Sequence, residues 1–194
     1  MAEQGAESEF ERARRAADER ALVESAQRGS KAAFETLYRN HVGKVYGLCL
    51  RMTANRATAE DCTQEAFIQA WRSLPSFQSR SAFGTWLHRI AVNAVLAQGR
   101  RRRERLGDDA SADEAADRRP DPTIGDHGTM LDLEQAISRL PAGARQVLVL
   151  AGLYGHSHEE VAAMLGIAVG TCKSQLHRAR QLLGEQLEAP EVAS

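Results

Sequence analysis

Residues 157–183 constrain this chain more than any other stretch. They read Ser157-His158-Glu159-Glu160-Val161-Ala162-Ala163-Met164-Leu165-Gly166, then Ile167-Ala168-Val169-Gly170-Thr171-Cys172-Lys173-Ser174-Gln175-Leu176-His177-Arg178-Ala179-Arg180-Gln181-Leu182-Leu183. Ser157 and Glu160 have the spacing of a capping box, which satisfies the free N–H groups at a helix start. Val161, Met164 and Leu165 give that helix an apolar stripe. Gly166 ends it, because glycine accepts the left-handed conformation of a helix cap. Val169, Cys172, Leu176, Ala179 and Leu183 then recur at steps of three and four, so a second helix turns these five to a core. Thr171, Lys173, Ser174, His177, Arg178 and Gln181 are left on its outer face. A short helix, a glycine turn and a longer helix with a polar, cationic exterior form a helix-turn-helix. DNA-binding versions lay the second helix in the major groove. A helical hairpin on an ordinary protein surface fits the same pattern.

The remainder of the 194 residues has the composition of an all-α chain. Alanine, leucine, arginine and glutamate dominate, and runs of β-branched and aromatic residues are missing. The net charge of −1 gives no global attraction to nucleic acid, but the charge is unevenly placed. Residues 100–105 carry five arginines against Glu104, whereas residues 106–129 carry seven acids against Arg118 and Arg119. A basic run partly suits a helix C-terminus; five arginines exceed a cap and match a phosphate backbone. The acidic segment, with Gly107, Pro120, Pro122, Gly125 and Gly128, is expected to be a flexible linker.

Cys49, Cys62 and Cys172 are far apart and sit on apolar helical faces, as expected of buried thiols in a cytoplasmic protein. The N-terminus lacks a signal-peptide core, and no apolar run reaches membrane-spanning length, so no membrane insertion is expected. His156, His158, Cys172 and His177 are close in sequence, but Cys172 faces inward and His177 outward, so they do not converge on zinc. No nucleophile–base pair or glycine-rich phosphate loop is present. No catalysis, cofactor or metal is expected.

Along the chain, residues 1–17 read as a disordered charged extension. A short helix over 19–28 with Leu22, Val23 and Ala26 inward ends at Gly29. A long helix over 31–52 carries Phe34, Leu37, Tyr38, Val45, Leu48, Cys49 and Met52 as its apolar stripe. A third starts near Thr58 and runs to Leu74, with Cys62, Ala66, Phe67, Ala70, Trp71 and Leu74 inward. Its other face holds Asp61, Gln64, Glu65, Ile68, Gln69 and Arg72, which on these residues alone is most simply a solvated face with one stray isoleucine. After a polar loop holding Phe77, a fourth helix runs from Ala82 into the arginines, with Phe83, Trp86, Leu87, Ile90, Ala91, Ala94 and Val95 inward. Helices over 131–140 and 142–153 precede the helix-turn-helix, with Leu133, Ala136, Ile137, Leu140, Val147, Leu148 and Leu150 placed to pack beneath it.

Three motifs in this order carry a resemblance. Asp61-Cys62-Thr63-Gln64-Glu65-Ala66-Phe67 and Phe83-Gly84-Thr85-Trp86-Leu87-His88-Arg89-Ile90-Ala91-Val92-Asn93 look like the second conserved region of the extracytoplasmic-function sigma factors. Leu140-Pro141, Arg145 and residues 157–180 are similar to their fourth. The resemblance covers nearly all of the chain after Asp18. It implies two small helical domains, 18–105 and 130–188, joined by the flexible linker 106–129, with a tail at 189–194. Asp61, Gln64, Glu65 and Ile68 would then dock on the clamp helices of the largest subunit of core RNA polymerase; the beta flap is a second expected contact. Gln69, Ser73, Phe77 and Asn93 would take an extruded base of the −10 promoter element, Phe77 by stacking and Asn93 by its donor and acceptor. Arg100, Arg101, Arg102 and Arg103 would hold phosphates. Thr171, Lys173, Ser174, His177 and Arg178 would meet the −35 element as duplex. Gln175 stands where the family often has an arginine, which implies one phosphate contact fewer. The loop Gln78-Ser79-Arg80-Ser81 departs from the family's glycine- and acid-containing version. An anti-sigma factor is the implied regulator.

Two other readings compete. A sigma-like decoy would capture an anti-sigma factor without starting transcription; the stretches outside the two units are short for the signalling domain such decoys carry. A free-standing helix-turn-helix regulator leaves the motifs of the first unit without a purpose.

Overall fold

The computed structural model describes residues 2–106 and 129–188. The expected linker, the tail and the side chain of Arg103 lie outside the described residues. Among those described, the chain is helical throughout: α1 Ala2–Gln27, α2 Lys31–Thr53, α3 Arg56–Ser73, a 3-10 turn Leu74–Ser76, α4 Phe83–Leu106, α5 Thr129–Ser138, α6 Ala142–Val147 continuing as a π-helical segment Leu148–Leu153, α7 His158–Leu165 and α8 Val169–Glu188. None of these helices is long and apolar enough to cross a membrane.

Helix boundaries follow local chemistry. Gly29, at φ +93°, turns the chain out of α1, and Ser30 caps α2 by accepting from the Ala33 N–H. Asn55 caps α3, its Oδ1 accepting from both the backbone N–H and the hydroxyl of Thr58. The helix therefore begins before Thr58, because asparagine outcompetes threonine at the cap position. The N-terminal expectation also changes. Residues 2–17 continue α1 as helix rather than forming a disordered extension. Alanine, glutamate and arginine are strong helix formers, and Glu11 and Arg15 pair one turn apart at 3.8 Å.

In the first unit, α2, α3 and α4 pack around Leu37, Leu48, Cys49, Met52, Cys62, Ala66, Phe67, Leu87 and Ala91, and α1 lies across one end through Val23 and Ala26. A polar clasp fixes α1. His41 Nε2 and Glu19 Oε1 are 2.7 Å apart, and the His41 ring stands edge-on to Phe83. Gly84 makes room for it, since a Cβ there would approach the His41 ring to 3.2 Å. In the second unit, Ile137, Leu140, Ala144, Val147, Val149, Leu150, Val161, Cys172, Leu176 and Ala179 are buried. Several residues expected inside are not fully there: Tyr38 and Leu133 are exposed, at 41% and 38%, and Leu22, Phe34, Trp71, Trp86 and Ile90 are half-buried. The two units touch, α2 against α5 and α6, and α4 against α7. Their buried side chains form one continuous core.

Candidate functional site

The helix-turn-helix is built as its sequence dictates. Ser157 Oγ accepts from Glu160 N, and Glu160 Oε2 accepts from Ser157 N. Gly166 closes α7 at φ +67°. Cys172, Leu176 and Ala179 are buried behind α8, with Val169 and Leu183 half-buried. Thr171, Lys173, Ser174, His177 and Arg178 are all exposed on its far side. A rigid helix with its back in a core and these five side chains outward is suited to a duplex groove. The Ser174 hydroxyl donates to Thr171 O at 2.9 Å, which leaves its oxygen to accept from a donor such as the amino group of adenine or cytosine. Gln175 is half-buried and packs against Gly143 at the start of α6. It therefore lies off the reading face, and a phosphate contact is not what its side chain offers.

In the first unit, the candidate base-capturing residues come from three places. Gln69 and Ser73 lie on the last turns of α3, Phe77 follows the 3-10 turn, and Asn93 is exposed on α4. Gln27 reaches across from α1 and donates to the carbonyls of Leu74 and Phe77, at 3.0 and 2.7 Å, which pins this loop. Phe77 is half-buried with one ring face against Trp86, centroids 4.7 Å apart and planes tilted by 33°. Its ring also meets Phe83 edge-on, centroids 6.2 Å apart. Ser79 sits at φ +52°, where glycine would be relaxed; this is the conformational reason a glycine suits that loop. Gln69 donates to Glu65 Oε1 at 2.8 Å. Trp86, Asn93 and Arg100 follow at intervals of seven and share one face of α4. Arg100, Arg101 and Arg102 are exposed.

The expected polymerase-docking face divides in two. Gln64 and Ile68 rim a groove of about 1000 Å³ between α2 and α3, with Phe34, Tyr38, Val42 and Phe67 among its lining. Asp61 and Glu65 face the other way, into a small cleft shared with Gln69, Gln98 and Arg101. Sequence reading assigned Phe34 and Tyr38 to the core and missed the groove. The signal was present: Phe34, Tyr38, Val42 and Tyr46 form an i, i+4 row beside the truly buried row of Ala33, Leu37, His41, Val45 and Leu48, which is more apolar circumference than one packed face uses.

Titratable groups are tuned by burial. The Cys49 thiol is pushed up to about 11 and Cys62 to about 12 by loss of solvent, so both are inert thiols. His88 on α4 stacks on Tyr154 and His156 from the second unit, at 4.6 and 5.2 Å. Burial, then the neighbouring His156 and Arg89, lower its pKa to about 4. Among the described residues no three His, Cys, Asp or Glu side chains gather as metal ligands.

Comparisons with known proteins agree with this architecture. The family model for Sigma-70 region 2 matches residues 37–105, and that for Sigma-70, region 4 matches residues 130–183. The ECF RNA polymerase sigma factor SigE of Mycolicibacterium smegmatis is 39% identical over 82% of this chain and 64% of its own length. The RNA polymerase sigma-H factor of Pseudomonas aeruginosa is 36% identical over 86% of this chain and 92% of its own. Among solved structures, the sigma factor RpoE of Bartonella quintana, in complex with the anti-sigma factor NepR, covers 81% of this chain and 98% of its own at 26% identity, with a TM-score of 0.58. CnrH in complex with the cytosolic domain of CnrY covers 90% and 99% at 27% identity, with a TM-score of 0.56. Two regions in the right order, on two helical units that present separate polar faces, place the chain in the family of ECF RNA polymerase sigma factors.

Proposed function

We propose that this chain binds core RNA polymerase and gives it promoter specificity, reading the −10 element with the first unit and the −35 element with the second. The observation that carries this reading is the outer face of α8, where five polar or cationic side chains are exposed above a fully buried row. On the first unit, the half-buried Phe77 ring supplies stacking for an extruded base, and Asn93 reads its hydrogen-bonding edge. Arg100, Arg101 and Arg102 hold the strand by its phosphates, which positions it without reading it. The chain supplies recognition, and the polymerase supplies the chemistry, so no catalytic residue is assigned to it. The apolar groove between α2 and α3 is the docking surface for the polymerase clamp. One solved relative was captured with an anti-sigma factor and another with the cytosolic domain of CnrY, and an anti-sigma factor that covers these faces is the expected regulator here. All of this takes place in the cytoplasm.

Run-off transcription with purified core polymerase and a promoter library tests the reading. Discrete start points that depend on this chain are expected. Their absence at every template would overturn it.

A further inference from the structure

Helix α1 holds both ends of the loop that carries Phe77. At the start of the loop, the Gln27 amide donates to Leu74 O at 3.0 Å and to Phe77 O at 2.7 Å. One amide nitrogen carries two hydrogens, so both carbonyls are served at once. The Phe77 N–H already donates to Leu74 O, at 3.0 Å, so the turn closes without Gln27. What Gln27 adds is the bond to Phe77 O, which fixes the peptide plane by which the chain leaves the turn. At the end of the loop, Glu19 Oε1 lies 2.7 Å from His41 Nε2. The His41 ring stands edge-on to Phe83, the first residue of α4, with centroids 5.2 Å apart. Glu19 and Gln27 are separated by about 12 Å along α1, at 1.5 Å per residue, and Val23 and Ala26 between them are buried.

The loop between these anchors needs them. Residues 77–82 form no helix or strand. Ser79 sits at φ +52°, a conformation that is costly for a residue with a Cβ and persists only where surrounding contacts over-determine it. The Phe77 ring packs on Trp86 and Phe83, with centroids 4.7 and 6.2 Å away. Its position is therefore set jointly by the rings of α4 and by the carbonyl that Gln27 holds. Gln27 is half-buried and lies on a different helix from Gln69, Ser73 and Asn93. A side chain that only filled this space could be apolar, like its neighbours Val23 and Ala26. An amide is required only where the two carbonyls must be held.

We propose that α1 sets the selectivity of the first unit for the −10 element, with Gln27 as a positioning residue that touches no base and acts through Phe77 by holding its carbonyl. This rests on the promoter-recognition reading above, in which Phe77 stacks on an extruded base. Stacking tolerates every base, because each has a π-face. Selection therefore depends on where the stacked base is held relative to Asn93, which reads its edge. Such a constellation discriminates only when it is held to within about 0.5 Å. Each hydrogen bond of this kind favours the held loop by about fivefold. A base captured only by the held form loses affinity as that fraction falls.

The test uses the full chain, with a thermal melt to show that each variant is folded. Gln27→Met keeps the length and helix propensity of the side chain and removes both donors; Gln27→Glu, equally long and without a donor when ionised, repeats the loss. Gln27→Lys still donates to carbonyls at a helix C-terminus. In a Trp71→Phe background, Trp86 is the remaining tryptophan and reports on the ring packed against it. Its emission is expected to move to longer wavelength in Gln27→Met and Gln27→Glu and to return to the parent value in Gln27→Lys. In run-off transcription with core polymerase and a −10 library, Gln27→Met is expected to reduce discrimination about fivefold at the position that Phe77→Ala also alters, with −35 preference unchanged. The double variant Gln27→Met with Phe77→Ala is expected to rank bases as Phe77→Ala alone does. A role in the fold alone would lower the yield from all templates alike and leave the ranking in place. Unchanged Trp86 emission in the donor-less variants, or a wild-type −10 ranking in them while Phe77→Ala changes it, would overturn the positioning role alone. A Phe77→Ala chain with the wild-type −10 ranking would overturn the reading on which it rests, and the positioning role with it.

Discussion

Replacing Tyr38 and Ile68 together by alanine is expected to weaken binding to core polymerase by about 2–3 kcal/mol, or roughly 30- to 150-fold in Kd. The figure comes from the groove. Tyr38 and Ile68 are 41% and 39% exposed in the free chain, and side chains of this kind present about 200 Å² each when fully open, so together they offer about 150 Å² to a partner. At about 25 cal/mol per Å² that area is worth roughly 4 kcal/mol. Ordering of side chains on both surfaces and imperfect fit reduce the yield. Stability should fall only modestly, by about 0.5–1.5 kcal/mol, chiefly from loss of the Tyr38–Phe67 edge contact, whose centroids are 4.6 Å apart. The assay is fluorescence anisotropy of labelled chain titrated with core polymerase, with a thermal melt to show that the variant is folded. The comparison is Asp61→Ala with Glu65→Ala, the pair on the opposite edge of α3, which should weaken binding less and lose its effect as salt is raised. A folded Tyr38/Ile68 variant with wild-type Kd would refute the assignment of this groove to the polymerase.

Arg178→Ala is expected to cost about 1–3 kcal/mol in binding to a −35 duplex and to relax preference at one position, whereas Lys173→Ala, if it holds a phosphate, should weaken all sequences alike and lower the salt slope by about one; competition footprinting over a duplex library separates the two. Asn93→Ala should change which −10 bases support transcription while leaving −35 preference intact, and an unchanged ranking across a −10 library would remove Asn93 from the reading set. Acid should weaken the packing around His88. Its folded pKa, about 4, lies below the ordinary value of 6.5, so its neutral form contributes stability at and above pH 6.5, and that contribution is lost as pH falls from 6.5 toward 4. Because the ring is only partly buried, the loss between pH 7.5 and 5 should be on the order of 1 kcal/mol rather than the full shift. Charged or titratable neighbours are His156, Arg89, Tyr154 and, 3.8 Å from His156, Glu160. His88→Phe, which keeps the stack and cannot titrate, should flatten the pH dependence of the urea midpoint; an equally steep dependence in the variant would refute the assignment.

The helix-turn-helix was legible in the sequence because everything that makes it is local. The Ser157–Glu160 box, the left-handed Gly166 and the three-and-four spacing of Cys172, Leu176 and Ala179 act within a few residues of one another. They decide both where α7 and α8 begin and which side of α8 is exposed. The same local rules placed α2, α3 and α4 to within a turn. Where they failed, a long-range contact decided the outcome. Periodicity shows that Phe34 and Tyr38 are apolar, but only the angle between α2 and α3 shows that they line an open groove instead of a core. The even face of α3 gave no hint that Ile68 and Glu65 look toward different neighbours.

Arg145 is the sharpest case. By sequence it is one arginine after Leu140-Pro141. In the fold it is buried and donates to Ser138 O and Leu140 O, at and just past the end of α5, and to Met52 O and Thr53 O at the end of α2. Its Met52 partner is 93 positions away, and no spacing rule reaches that far. The chain by itself determined two helical units, their caps and the side chains each turns outward, since backbone hydrogen bonding and burial of a stripe are settled within a helix. The packing of one unit on the other decided the rest. A buried cation must find acceptors, and the unsatisfied carbonyls at the ends of α2 and α5 come together only when both helices are folded and in contact.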